Sequence, residues 1–211
     1  MQIEIWSDVI CPWCYIGKRR FEMSLANFAH KESVKVVWRS FELDPKSPSQ
    51  YPDTLEVTLA RKYGVSSDEA AAMNARVTAI AKEIGLDYRL SEARPGNTFD
   101  AHRLLHFAAS RNLGDQATES IMHAYFSESL PVGNPAALAQ LAAKFGIAES
   151  EALAMLESDA YSREVRADEA RAAKFGITGV PFFVINEKVG ISGAQAVEVF
   201  AEALQKAWVD S

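Results

Sequence analysis

Strand-like patterns fall only near the two ends of this chain, and the long stretch between them reads as helix. Ile3-Glu4-Ile5-Trp6 and Val34 to Phe41 read as two strands, and Phe182 to Ile185 and Val189 to Ile191 as two more. Strands in a core must pair their backbone donors and acceptors, so the early and late strands have to meet in one sheet. The order is β-α-β, a helical block, then α-β-β-α. The block is therefore an insertion that interrupts a single α/β unit.

The boundaries follow from local chemistry. Pro45, Pro48 and Pro52 stop the second strand from continuing. Helical periodicity then predicts helices over 54–63, 67–84, 98–112, 115–129, 135–145, 149–157 and 159–175. Four of these stop alike, at Gly64-Val65, Gly85-Leu86, Gly146-Ile147 and Gly176-Ile177. Each places glycine where a left-handed residue closes a helix, followed by an apolar residue that can pack back on the last turn. Ala142 to Ile147 and Ala172 to Ile177 are identical, which reads as one helix stop used twice. Asn186-Glu187-Lys188 reads as a turn between the last strands. Ser192-Gly193 is expected to open a final helix whose apolar face is Val197, Phe200, Leu204 and Trp208. The resulting division is 1–50 with 160–211 for the α/β unit and 51–159 for the insertion.

Both cysteines of the chain lie in Cys11-Pro12-Trp13-Cys14, between the first strand and the first helix. Proline is tolerated in a first helical turn because its missing N–H has no intrahelical partner there. Cys14, Gly17, Phe21, Leu25 and Phe28 then share one helix face. This puts Cys14 on the buried side and Cys11 at the helix tip, where the macrodipole favours a thiolate. Two thiols so placed suit a reversible dithiol/disulfide couple with Cys11 as nucleophile and Cys14 as resolving thiol. Pro12 and Trp13 stiffen the turn and offer an aromatic flank to a substrate. A zinc site would need two further ligands. The four histidines, His30, His102, His106 and His123, show no HExxH pattern, so no metal is expected.

The 211 residues are 48% hydrophobic and 24% charged, an ordinary soluble composition, with a formal net charge of −6. That charge argues against nucleic acid or an anionic membrane as main partner. No apolar run is long enough to cross a bilayer, and no secretory signal is visible after Met1. The expectation is a cytoplasmic protein whose paired thiols are catalytic rather than a staple.

Together these features resemble the thioredoxin fold: a strand, CxxC, helix and strand, and much later Gly179-Val180-Pro181-Phe182-Phe183-Val184. The helical insertion is similar to that of the DsbA family. Ser7-Asp8-Val9-Ile10-Cys11-Pro12-Trp13-Cys14-Tyr15-Ile16-Gly17-Lys18, Phe41-Glu42-Leu43, Asn97-Thr98-Phe99-Asp100-Ala101-His102-Arg103-Leu104 and Ile191-Ser192-Gly193-Ala194-Gln195 resemble its cytoplasmic FrnE-type branch. A related branch contains 2-hydroxychromene-2-carboxylate isomerases and kappa-class glutathione transferases. The fold class implied is α/β, thioredoxin-like with a large all-helical, DsbA-like insertion.

The resemblance implies that Pro181 is cis and faces Cys11, and that the backbone of Val180 pairs with an extended peptide or glutathione. It implies an anion site at the start of the last helix, near Gly193, Ala194 and Gln195. It also implies that Asn97 and His102 project toward Cys11. Asn97 equally fits a helix cap, His102 a core residue, and Ser192-Gly193 a plain turn. One departure stands out. Many thioredoxin-like enzymes carry a buried acid six residues before the first cysteine, and here Ile5 takes that place. Asp8 is nearer but need not be buried, so the proton acceptor for Cys14 is unassigned.

The function expected is a thiol-disulfide oxidoreductase acting on protein or small-molecule thiols and disulfides. No cofactor is obligatory, and glutathione is a candidate co-substrate. Neither nucleic acid nor membrane is an expected partner, and the assembly is a monomer or homodimer. The alternative is a glutathione-dependent isomerase or transferase in the same pocket. Such branches usually carry serine at the position of Cys11, so retention of both thiols favours redox chemistry. A peptide-binding chaperone is a third reading, one that would keep its activity without either cysteine.

Overall fold

The computed structural model describes residues 1–210. In chain order the elements are β1 (Gln2–Ser7), α1 (Pro12–Ala26), β2 (Lys35–Ser40), α2 (Leu55–Tyr63), α3 (Ser67–Glu83), α4 (Phe99–Ala109), α5 (Gly114–Ser127), α6 (Pro135–Ala142), α7 (Glu149–Leu156), α8 (Ser162–Lys174), β3 (Phe182–Ile185), β4 (Val189–Ser192) and α9 (Val197–Val209). The chain forms two compact units. One is Met1–Leu43 with the chain from Arg166 onward, and the other is Asp44–Val165. The division falls inside α8.

The first unit is built on a four-stranded sheet of order β2-β1-β3-β4. β1 pairs in parallel with β2, Ile5 opposite Trp38, and antiparallel with β3, Ile5 opposite Phe183. β3 continues antiparallel into β4 through a turn in which Asn186 and Glu187 have φ of 48° and 59°. The early and late strands thus share one sheet, as the pairing requirement demands.

Alternation along β1 sends its side chains to opposite faces. Ile3 and Ile5 join Phe183, Ile185, Phe21 of α1, and Phe200 and Leu204 of α9 in one core. Phe183 and Phe200 meet edge to face at 4.7 Å between ring centroids. Burying side chains of this size contributes about 1.5–3 kcal/mol each. Trp6 packs on the other face with Val184, Ala172 and Ile177.

Glu4 shares that second face and is 1% exposed. A buried carboxylate needs partners, and Arg171 and Arg39 supply them at 2.6 Å each. Burial alone would push the Glu4 carboxyl up, but the two guanidiniums outweigh it and hold it below the ordinary 4.5. Asp168, also buried, accepts from Arg39 and from the Ser40 N–H, while its own carbonyl accepts from the Trp6 indole. These contacts tie α8 to β1 and β2.

The four glycine stops close their helices as expected. Gly64, Gly85, Gly146 and Gly176 all have positive φ. In each case the next residue's N–H bonds back to a carbonyl five positions earlier, as in Ile147 to Ala142 at 3.1 Å and Ile177 to Ala172 at 2.9 Å. The twice-used sequence is one structural device. Asn112, with φ of 60°, ends α4's extension in the same way through the Leu113 N–H to Ala108.

Unit boundaries differ from 50 and 160 for a physical reason. The proline segment after Leu43 bonds within the helical unit, Tyr51 N–H to Pro95 O and Asn97 N–H to Pro48 O. Gly96 and Gly133 leave room for the Ser49 carbonyl, which a Cβ at either position would strike. At the other end, Arg103 donates to the carbonyls of Met155, Leu156, Ser158 and Ala160 and pairs with Asp100. That holds residues up to Tyr161 in the helical unit.

Candidate redox site

β1 ends at Ser7, and the chain turns through Asp8-Val9-Ile10 to Cys11, the N-cap of α1. The Cys11 N–H donates to the Asp8 carbonyl at 3.1 Å, and the Cys14 N–H to the Cys11 carbonyl at 3.0 Å. Asp8 is fully buried, contrary to the freedom the sequence left it. Its Oδ2 accepts from the Leu43 N–H at 2.8 Å, fixing the loop against the residues beyond β2. Pro12 sits in the first turn and leaves no donor wasted. Trp13 is 43% exposed beside the pair.

Both cysteines are free thiols. Cys11 is the N-cap but makes no side-chain capping bond, and its thiol lies against the Val180 carbonyl at 3.7 Å. The Val180–Pro181 peptide is cis. Cys11 is 4% exposed, more enclosed than a helix tip implies. Cys14 is 1% exposed. Burial is the main cause that pushes its thiol well above the ordinary value, and the neighbouring Cys11 acts in the same direction. The Ser7 hydroxyl and the Asp8 N–H oppose it.

Pro181 is held from two sides. Its carbonyl accepts from the Gly193 N–H at 2.9 Å. A Cβ on Gly17 of α1 would lie 2.9 Å from Pro181 Cγ and 3.5 Å from Ala194. Arg20, farther along α1, donates to the Ala194 carbonyl at 2.7 Å. Helix α1 therefore carries the thiols at one end and grips the cis-proline and the β4–α9 turn with its next two turns.

Gly193, Ala194 and Gln195 do not open the last helix. α9 starts at Val197 after Ala196, and the three residues form a turn before it. Gly193 has φ of 81°, and its N–H is taken by Pro181, while the Gln195 N–H is taken by Gly193 O at 3.0 Å. The N–H groups of Gly193 and Gln195 are thus used within the turn, and the start of α9 lies beyond all three residues. Asn97 takes the capping role: its Oδ1 accepts from the Phe99 N–H at 2.9 Å at the start of α4. His102 is buried on α4 in the helical unit, at 1% exposure. Sequence reasoning missed the burial of Asp8 and the close approach at Gly17. Only the last had a signal, a glycine inside a helix without a stop.

A dithiol at a helix start, beside a cis-proline that leads into a neighbouring strand, defines a thioredoxin-fold protein of the oxidoreductase kind. The chain belongs to the DSBA-like thioredoxin domain family, whose model matches residues 2–205. It is 44% identical to a probable DsbA oxidoreductase from Streptomyces coelicolor, with a TM-score of 0.95 over 100% of this chain and 91% of that one. Its fold is also that of a 2-hydroxychromene-2-carboxylate isomerase, at 12% identity and a TM-score of 0.71 over 98% of this chain and 95% of that one. The cytosolic disulfide reductase DsbM from Pseudomonas aeruginosa, solved also with GSH, shares the fold at 14% identity and a TM-score of 0.68, with both chains covered completely.

Proposed function

We propose that the chain is a thiol-disulfide oxidoreductase in which Cys11 exchanges with the partner and Cys14 resolves the adduct. The placement of Cys11 carries the reading: an N-cap thiol against the Val180 carbonyl, with Cys14 buried one turn behind it. In the direction that reduces a partner disulfide, the Cys11 thiolate attacks one partner sulfur. A Cys11–partner disulfide forms, the partner's S–S bond breaks, and the departing thiolate takes up a proton. Cys14, having lost its proton, then attacks Cys11 Sγ. The Cys11–Cys14 disulfide forms, the second partner thiol leaves, and two electrons have passed from protein to partner. The reverse sequence oxidises a dithiol.

The exposed Trp13 and the backbone at Val180 suit an extended peptide or a tripeptide thiol. Glutathione is the candidate small thiol, a reading supported by the DsbM fold neighbour solved with GSH. Such a cycle needs no bound cofactor and suits a cytoplasmic setting in which that thiol is abundant.

The test is turnover of a protein disulfide and of a glutathione mixed disulfide by single variants. Cys11→Ser should abolish both activities. Cys14→Ser should accumulate a covalent mixed disulfide visible by mass spectrometry. Turnover that persists in Cys11→Ser overturns the reading.

A further inference from the structure

We propose that the inserted unit carries a binding site for a small apolar α-amino acid in its zwitterionic form. The site does not depend on the dithiol reading, because every residue that lines it falls between Ser49 and Pro135, inside the Asp44–Val165 unit. Three segments meet there: the proline segment after β2, the chain that enters α4, and the loop before α6. They leave a cleft of about 340 Å³. Ligand clefts run from about 300 to about 1,000 Å³, so this one suits a single amino acid better than a longer peptide.

Its walls are stiff. Pro95, Pro131 and Pro135 supply apolar surface on rings that have little rotamer freedom to lose. The Ser49 carbonyl is seated against Gly96 and Gly133, where a Cβ on either glycine would strike it. Walls already fixed in place lower the ordering cost of binding.

The polar lining selects the ligand. Arg94 and Asp100 bring opposite charges to the same cleft, yet they do not pair with each other. Asp100 Oδ1 accepts from Arg103 Nη1 at 2.8 Å, and Arg103 is itself held by the carbonyls around the end of α7. That anchors the carboxylate by one oxygen. Arg94 is exposed and has no ion-pair partner among the described residues. An unpaired guanidinium and an anchored carboxylate on one small cleft match the two charged groups of an amino acid. The ammonium donates to Asp100 Oδ2, and the α-carboxylate accepts two parallel bonds from Arg94. Asn134 adds an amide donor, its Oδ1 being occupied by the Ala137 N–H at 3.1 Å. The proline rings then receive the apolar side chain. A dicarboxylate would set its second anion against Asp100, and a diamine its second cation against Arg94.

Titration of the full chain, followed through its backbone amide NMR signals, tests the site with L-leucine, leucinamide and N-acetyl-leucine as probes. L-leucine should shift the Gly133 and Asn134 signals saturably. Leucinamide lacks the carboxylate and N-acetyl-leucine lacks the ammonium, so each should bind at least about tenfold more weakly. Arg94→Gln should weaken L-leucine by a similar factor and leave leucinamide unchanged. Its unfolding midpoint should match wild type, because Arg94 has no ion pair to lose. No saturable shift with L-leucine, equal binding of the three probes, or undiminished L-leucine binding by Arg94→Gln overturns the site.

Discussion

Gly17 shows how much of the site depends on an atom that is missing. It lies on the α1 face that carries Cys14 and faces the Pro181 ring. Gly17→Ala would gain about 0.5–1 kcal/mol of helix propensity. Against that, the new Cβ at 2.9 Å from Pro181 Cγ forces a shift, and overpacking of this kind costs about 1–3 kcal/mol. The expected outcome is a loss of about 1 kcal/mol by denaturant titration and a larger effect on disulfide turnover, at least about tenfold, because Pro181 moves away from Cys11. Wild-type turnover in this variant would mean that the proline's position is not critical. At this scale the sequence was partly legible. Cys11, Cys14 and Pro181 announce themselves by residue type and spacing. Asp8 and Gly17 do not, because what they do is set by atoms brought from Leu43 and Pro181 by the fold.

Element boundaries were legible wherever the backbone itself dictates them. A left-handed residue after a periodic helix fixes the stop, so α2, α3 and α8 end close to where their glycines predict. The start of α9 was misread because Ser192-Gly193 looks like a helix entrance, whereas Gly193 serves the turn that holds Pro181. The ion pairs binding α8 to the sheet were not legible at all. Glu4 and Arg171 are far apart in sequence and meet only once β1 and α8 pack. They give a pH prediction. The Glu4 carboxyl sits below 4.5 in the folded chain, so its contribution is present above that value and lost as pH falls through the lowered one. Arg171→Leu leaves burial less opposed, which raises the Glu4 carboxyl toward and above its unfolded value. Unfolding free energy should fall by about 2 kcal/mol near pH 7. The gap to wild type should narrow as pH falls and close once pH is below the lowered Glu4 value, where the carboxyl is neutral in both. A gap independent of pH would assign the loss to packing of Arg171 on Phe175 instead.

The whole chain is one unit threaded by another. Periodicity and the two groups of strands made that legible, while the proline segment was assigned to the wrong unit because its partners, Pro95 and Asn97, lie beyond two helices. Arg103 is the polar centre of the inserted unit, 4% exposed and bonded to four carbonyls around the end of α7. Arg103→Met would leave those carbonyls buried without a donor. It should lower the stability of that unit by about 3–5 kcal/mol and strip hydrogen-exchange protection from α7; a loss under about 1 kcal/mol would show that water replaces the guanidinium. The pairing of Ile3 with Ile185 has a consequence for synthesis. Chains emerge from the ribosome N-terminus first. The stretch from Asp44 to Val165 meets its own partners as it appears, but β1, the inner strand beside Cys11, has no β3 until that whole stretch and α8 have been made. The nascent protein therefore carries its two thiols through synthesis of the inserted helices without the proline loop that would face them.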